Sequence, residues 1–216
     1  MGRPLRVIQT VLPYHLVCRT NNRSFRFHQR QAIRIIFQAL KETHEKYNFL
    51  VHHFVLMSNH YHILATTTDE NLHRAMQYLN SRIAVRFNKL VRRSGHLWGD
   101  RYGSCIIDTD EHYLACVRYI YRNPIRAKMV SSLEEFSDSS FNFWAFGKKV
   151  DVILVEDHLV LRMGKNKHKV RDYFQVLVLD EGMGLSDEEV KKGLKKMFFG
   201  SADFIQRMHE TYCHTG

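Results

Sequence analysis

Proline and cysteine are scarce in this sequence. Its three prolines (Pro4, Pro13, Pro124) form no linker, and no low-complexity stretch or internal repeat divides the chain. The four cysteines (Cys18, Cys105, Cys116, Cys213) stand far apart with no CxxC pair. That spacing excludes a zinc ribbon and a dense disulfide framework and fits a reducing cytoplasm. No run approaches the roughly 18 apolar residues of a membrane span. The start of the chain, with Arg3 and Arg6 but no long apolar stretch, does not read as a signal peptide. Neither GxxxxGK(S/T) nor GxGxxG occurs, so a nucleotide-triphosphate motor or a Rossmann enzyme is not expected. Acidic charge is also short: 22 Asp and Glu face 32 Lys and Arg, a formal net charge of +10. Such an excess favours a polyanionic partner, nucleic acid being the commonest, without telling DNA from RNA.

What is present is enough to build a core. The 216 residues are 44% hydrophobic, sufficient for one compact domain and an appended lobe. Residues 14–18 read as a strand. Over 29–47, Ile33, Ile36, Phe37 and Leu40 recur at the spacing of one helix face. Residues 49–57 and 60–66, rich in Val, Leu, Phe, Tyr and Ile, read as two strands joined by a turn at Ser58-Asn59. Over 71–93 the stripe Leu72, Met76, Leu79, Ile83, Phe87, Leu90 predicts a helix, ended by Ser94-Gly95. A fourth strand is expected over 102–107, and a helix over 110–123 closed by Pro124. This is the β-α-β-β-α-β order of an α+β, ferredoxin-like antiparallel sheet with helices on one face. Residues 1–149 form the expected domain and 150–216 a C-terminal extension of unknown role. Within it Ser186 and Glu189 form a capping box for a helix through Met197.

Three features could carry chemistry. His60 and His62 lie at i and i+2 of a strand, so both imidazoles share one face while Tyr61 turns into the core. Two histidines leave open positions on a metal, although a chain with 14 histidines also produces an HxH by chance. His52-His53, as strict strand neighbours, face opposite ways and cannot share a metal. His15, His73, His96 and His112 lack partner spacing. On the last helix Tyr119 and Asn123 lie at i and i+4 on one face. Tyr119 projects roughly 110° from the core stripe of Tyr113, Cys116, Val117 and Ile120, a position that escapes burial. A phenol with an ordinary pKa near 10 needs a metal or a nearby cation to act as a nucleophile. Arg118 and Arg122 are the candidate cations, and a surface tyrosine of no chemical role is the alternative. Finally, Arg82, Arg86, Lys89 and Arg93 form a basic stripe, joined by Arg101, Arg118, Arg122, Arg126 and Lys128, with Trp98 and Tyr102 available to stack unpaired bases. A charged stripe is also what any solvated helix face presents.

In order, Phe54–Leu64 (FVLMSNHYHIL), Ser94–Tyr102 (SGHLWGDRY) and Tyr113–Val130 (YLACVRYIYRNPIRAKMV) resemble the REP-associated tyrosine transposases, a branch of the single-tyrosine HUH transposases. The likeness covers about residues 14–130. It implies a ferredoxin-like HUH fold and a divalent metal, Mg²⁺ or Mn²⁺. It makes His60 and His62 the metal ligands, with Asn123 in the third position where relatives often carry Gln. Tyr119 becomes the nucleophile that attacks single-stranded DNA at hairpin-forming repeats, giving a 5′-phosphotyrosine and a free 3′-OH. Ser58, where the family usually has Pro, and Tyr61 between the histidines depart from its pattern. Working as a monomer and as a homodimer both remain open, as do a non-cleaving hairpin DNA or RNA binding module, a hydrolytic nuclease, and Tyr121 as the nucleophile.

Overall fold

The strand and helix order expected up to residue 123 is the order observed. A computed structural model of the chain describes residues 7–10, 12–23, 27, 29–108, 110–164, 166–179 and 184–213. Strand β1 (Tyr14–Arg19) leads to α1 (Arg30–Tyr47), β2 (Phe49–Leu56), β3 (His60–Thr67), α2 (Leu72–Leu90), β4 (Gly103–Ile107) and α3 (Glu111–Arg126). Then come α4 (Phe141–Phe146), α5 (His158–Met163), α6 (Lys167–Leu179), α7 (Asp187–Gly193), β5 (Phe198–Phe199) and α8 (Ala202–Tyr212). The sheet order is β2-β3-β1-β4-β5. The first four strands pair antiparallel, and the two-residue β5 adds to β4 in parallel. No helix of the described residues is long and apolar enough to cross a membrane.

Alternation along the strands divides the core in two. Leu16, Ile63 and Ala65 turn to one face and pack with Ile36, Leu40, Leu79 and Ile83 of α1 and α2. This is the expected single helical layer of the ferredoxin-like unit. Leu64, Val55 and Ile107 turn to the opposite face and meet Val117 and Ile120 of α3, Trp144 of α4 and Phe174 of α6. The extension therefore shares in both layers: Phe204 and Met208 of α8 join the first, and Phe174, Val190 and Phe199 the second.

Two local departures have clear causes. Pro124 was expected to close its helix, because it lacks the N–H that would reach the Ile120 carbonyl. The helix instead runs to Arg126, with the Asn123 side-chain amide donating to that carbonyl at 3.3 Å and to Tyr119 O at 3.2 Å. The capping box of Ser186 and Glu189 is formed, but α7 stops at Gly193 rather than Met197. There Gly193 meets the Phe199 ring so closely that a Cβ would sit 2.1 Å from it, and the chain turns into β5.

Candidate active site

In the β1–β3 ladder His15 stands opposite Leu64 and Val17 opposite His62, so His15 and His62 are diagonal neighbours on one face. His60 lies two residues before His62 on that same face, its ring centroid 4.9 Å from that of His62. Tyr61 turns away, its hydroxyl donating to Asn80 Oδ1 at 2.8 Å. From the other side α3 brings Tyr119, whose ring meets that of His62 edge-on at 6.2 Å between centroids. His60, His62 and Tyr119 are thus brought together from two elements. Asn123 lies one helical turn beyond Tyr119. With its NH₂ turned to the helix backbone, its carbonyl oxygen is the end available to a cation.

The histidines are held in the form that binds metals. Burial, with help from Arg19 and His15, pushes His60 down to about 3, and burial together with His15 and His60 puts His62 well below the ordinary histidine value. Neutral imidazole is the ligating species. Asn59 Oδ1 lies 2.6 Å from His60 Nδ1 and can only accept, so that nitrogen carries the hydrogen and Nε2 keeps its lone pair. Asn59 is itself fixed in the turn, its carbonyl accepting from the Thr20 N–H at 2.9 Å and its Oδ1 from Arg19 at 3.3 Å. Among the described residues no three His, Cys, Asp or Glu side chains form a metal cage. The residues that could hold a divalent cation are the two neutral imidazoles, with the Asn123 amide oxygen as the expected third donor, a set that leaves open positions.

Tyr119 does not escape burial. It is 9% exposed, because α7 packs on α3 and the Arg126 guanidinium lies over its ring, 4.1 Å from the centroid. Arg126 also donates to Tyr119 O at 2.8 Å and pairs with Asp187 at 2.6 Å. Burial raises the Tyr119 phenol above its ordinary value, and Arg126 and Lys191 oppose that shift. Tyr121 is 1% exposed on the far flank of the helix, its hydroxyl 2.7 Å from His53 Nδ1 and 2.8 Å from Ser140 Oγ. His53 Nε2–H donates in turn to Asp157 at 2.7 Å, and Tyr113 to the same oxygen at 2.9 Å. A β-bulge between Val51 and His53 breaks the alternation assumed for His52-His53. His52 bonds Thr66 and the Val155 carbonyl instead of sharing any partner with His53.

The basic residues fall on two sides of the sheet. Arg82, Arg86, Lys89 and Arg93 belong to or follow α2, on the face opposite the histidines, and both Arg82 and Arg86 pair with Glu42. Trp98 is half-buried, donates to Asn80 O at 2.9 Å, and lines a cavity of about 400 Å³ with Arg101 and Tyr102 on that α2 side. Arg118 is buried and donates to Leu185 O at 2.7 Å. It lines an open cavity of about 360 Å³ with Arg122, Arg126 and Asp187, on the Tyr119 side. Sequence reasoning gave no role at this site to two of its residues, and to a third only a general one. His15 is distant in sequence and signalled only by strand pairing, Asn59 sits in the turn before the HxH, and Arg126 was counted among the basic residues while its place over the Tyr119 ring depends on a helix that continues past Pro124.

The comparisons with known proteins bear on the family and the fold. The family model described as "Transposase IS200 like" matches residues 8–123, more than half of the chain. Among solved structures, a REP-associated tyrosine transposase bound to a REP hairpin superposes with a TM-score of 0.58 at 19% identity, over 72% of this chain and 93% of that one. A chain from Deinococcus radiodurans, provisionally assigned as a transposase, gives a TM-score of 0.39 at 17% identity over 60% and 95% and carries no weight. No curated protein sequence matches. On the family match the chain belongs to the IS200-like transposases, a family of DNA-processing enzymes.

Proposed function

We propose that this chain is a metal-dependent, single-tyrosine HUH strand transferase that cuts and rejoins single-stranded DNA at hairpin-forming repeats. The observation that carries this reading is the edge-on meeting of Tyr119 with His62, a phenol from α3 beside a neutral imidazole pair from β3. A divalent cation, Mg²⁺ or Mn²⁺, held by His60, His62 and Asn123, would place positive charge on the non-bridging oxygens of the scissile phosphate. Tyr119 supplies the attacking oxygen. Its Oη–P bond forms as the P–O3′ bond breaks, the phenolic proton is lost, and a proton ends on the released 3′-OH. The product is a 5′-phosphotyrosine, which a 3′-OH can attack to reverse the step with no need of ATP. Arg126, over the ring, favours the developing phenolate against the opposing effect of burial. Arg122 and Arg118 flank the same side and suit the phosphates of the bound strand.

A second reading has its own observation. Tyr119 is 9% exposed and covered by Arg126, which suits a domain that grips hairpin DNA or RNA without cutting. The test uses end-labelled hairpin oligonucleotides from repeats flanking the gene, incubated with Mn²⁺ or Mg²⁺ and run on denaturing gels. The strand-transfer reading predicts a covalent protein–DNA band that disappears in Tyr119→Phe and with EDTA. Tight binding with neither adduct nor cut product supports the non-cleaving module, and cutting without an adduct supports hydrolysis. A Tyr119→Phe variant that forms adduct as well as the native chain overturns the assignment of the nucleophile.

A further inference from the structure

We infer that His15 is a positioning residue for the metal-binding pair: its Nε2 accepts the Nδ1–H of His62 and so keeps His62 Nε2 as the bare lone pair. The inference rests on the metal-site reading above and adds to it the group that selects the tautomer of its central ligand.

The geometry is specific. His15 Nε2 lies 2.8 Å from His62 Nδ1, and the two rings stack with centroids 5.1 Å apart and planes 24° from parallel. Between two neutral imidazoles that contact holds a single hydrogen, so there are two arrangements. With the hydrogen on His15 Nε2, His62 becomes the acceptor at Nδ1, carries its own hydrogen on Nε2, and cannot ligate through that nitrogen. With the hydrogen on His62 Nδ1, His62 Nε2 is free to bind a cation. Only the second arrangement serves the site, and an acceptor at position 15 favours it. An orienting bond to the far nitrogen is how metal-bound histidines are generally fixed.

Two further observations define what His15 does. It is 3% exposed, and in this arrangement its own hydrogen sits on Nδ1, which has no hydrogen-bond partner among the described residues, a cost that the bond to His62 and the cation it prepares for must offset. The one side-chain hydrogen bond that distinguishes the ring from an apolar one filling the same space is the bond to His62. The neighbouring ligand has a matching arrangement, since Asn59 Oδ1 accepts from His60 Nδ1 at 2.6 Å. Two histidines on one strand each have their own acceptor, one from the turn before β3 and one from β1.

The test measures Mn²⁺ affinity by calorimetry on the full chain, in the wild type, His15→Phe and His15→Gln. Folding is checked by circular dichroism, and the His62 tautomer is read by ¹⁵N NMR of the metal-free protein. A glutamine places an amide oxygen where the imidazole Nε2 stood, so it restores the acceptor without the ring. The expected results are a loss of affinity of about tenfold or more in His15→Phe, recovery of most of that loss in His15→Gln, and a wild-type His62 protonated on Nδ1. Unchanged affinity in a folded His15→Phe overturns the role of His15 while leaving the metal site standing. Equal weakness in both folded variants overturns it in favour of plain packing. Should His15→Phe not fold, a wild-type His62 protonated on Nε2 overturns it. A wild type that binds no Mn²⁺ removes the site and the inference together.

Discussion

The two faces of the sheet are built on different principles. Under α1 and α2 the strands present Leu16, Ile63 and Ala65 to Ile36, Leu40, Leu79 and Ile83, and stability there comes from apolar area withdrawn from water. The strands facing α3 and the extension carry five buried histidines, His15, His52, His53, His60 and His62. That layer holds only because nearly every buried polar atom meets a partner: Tyr121, Asp157, Asn59, Thr66, the Val155 carbonyl. Two of those partners, Asp157 and the Val155 carbonyl, come from residues past 150, so the extension supplies hydrogen-bonding groups as well as bulk. The lesson is one of tolerance. An apolar layer loses stability in proportion to the volume removed, whereas a polar layer is left with an unpaired buried group when one member changes.

The contrast can be broken most forcefully at the site itself. Tyr119→Phe is expected to reduce strand cleavage by about a thousandfold or more, the scale of removing a nucleophile. Tyr121→Phe, on the opposite flank, should keep the cleavage rate within about tenfold and instead lose about 1–2 kcal/mol of stability through His53 and Ser140. Single-turnover cleavage of a labelled oligonucleotide separates the two.

Next in size is the apolar face. Leu79→Ala, at a fully buried position, should cost about 2–5 kcal/mol in urea unfolding, with the same loss at pH 7 and at pH 4. Asp157→Asn, on the polar face, should cost about 2–4 kcal/mol at pH 7, and its cost should shrink in acid. The sign follows from the carboxyl. Burial alone would raise Asp157, but the bonds from His53, the Val160 N–H and Tyr113 outweigh it and hold the group below its ordinary range. A depressed carboxyl stabilises the fold above its unfolded pKa, near 4, and loses that contribution as pH falls toward the folded value. A pH-independent Asp157→Asn difference would contradict the assignment of the network. The smallest effect belongs to the α1–α2 surface: Glu42→Gln, which removes the partner of Arg82 and Arg86, should cost less than about 1 kcal/mol, measured in the same urea series.

The apolar face was legible in the sequence for the same reason that it is simple. Its stripes at helical spacing (Ile33, Ile36, Phe37, Leu40 and Leu72, Met76, Leu79, Ile83) point to one layer and leave little else to decide. The polar face was legible only in fragments. The alternation that puts His60 and His62 together is local, and so was readable. The bulge at His52 is not local, nor is the diagonal pairing of His15, nor Asp157 reaching His53 from the extension. The place of Arg126 over Tyr119 was not readable because a proline stops a helix unless something replaces its missing N–H, and here a side chain one residue earlier does so. Past residue 150 the buried rows are short, Val170, Phe174 and Val178 on α6 and Phe204 and Met208 on α8, and which face of the sheet each covers is set by packing distant in sequence.

The most direct test of the central claim is to trap the protein on a single-stranded hairpin oligonucleotide with Mn²⁺, digest it with protease and nuclease, and map the nucleotide-bearing peptide by mass spectrometry. The account predicts one modified residue, Tyr119, joined through a 5′-phosphate. A modification on Tyr121 or Tyr113, or a cut strand with no modified tyrosine at all, would contradict it.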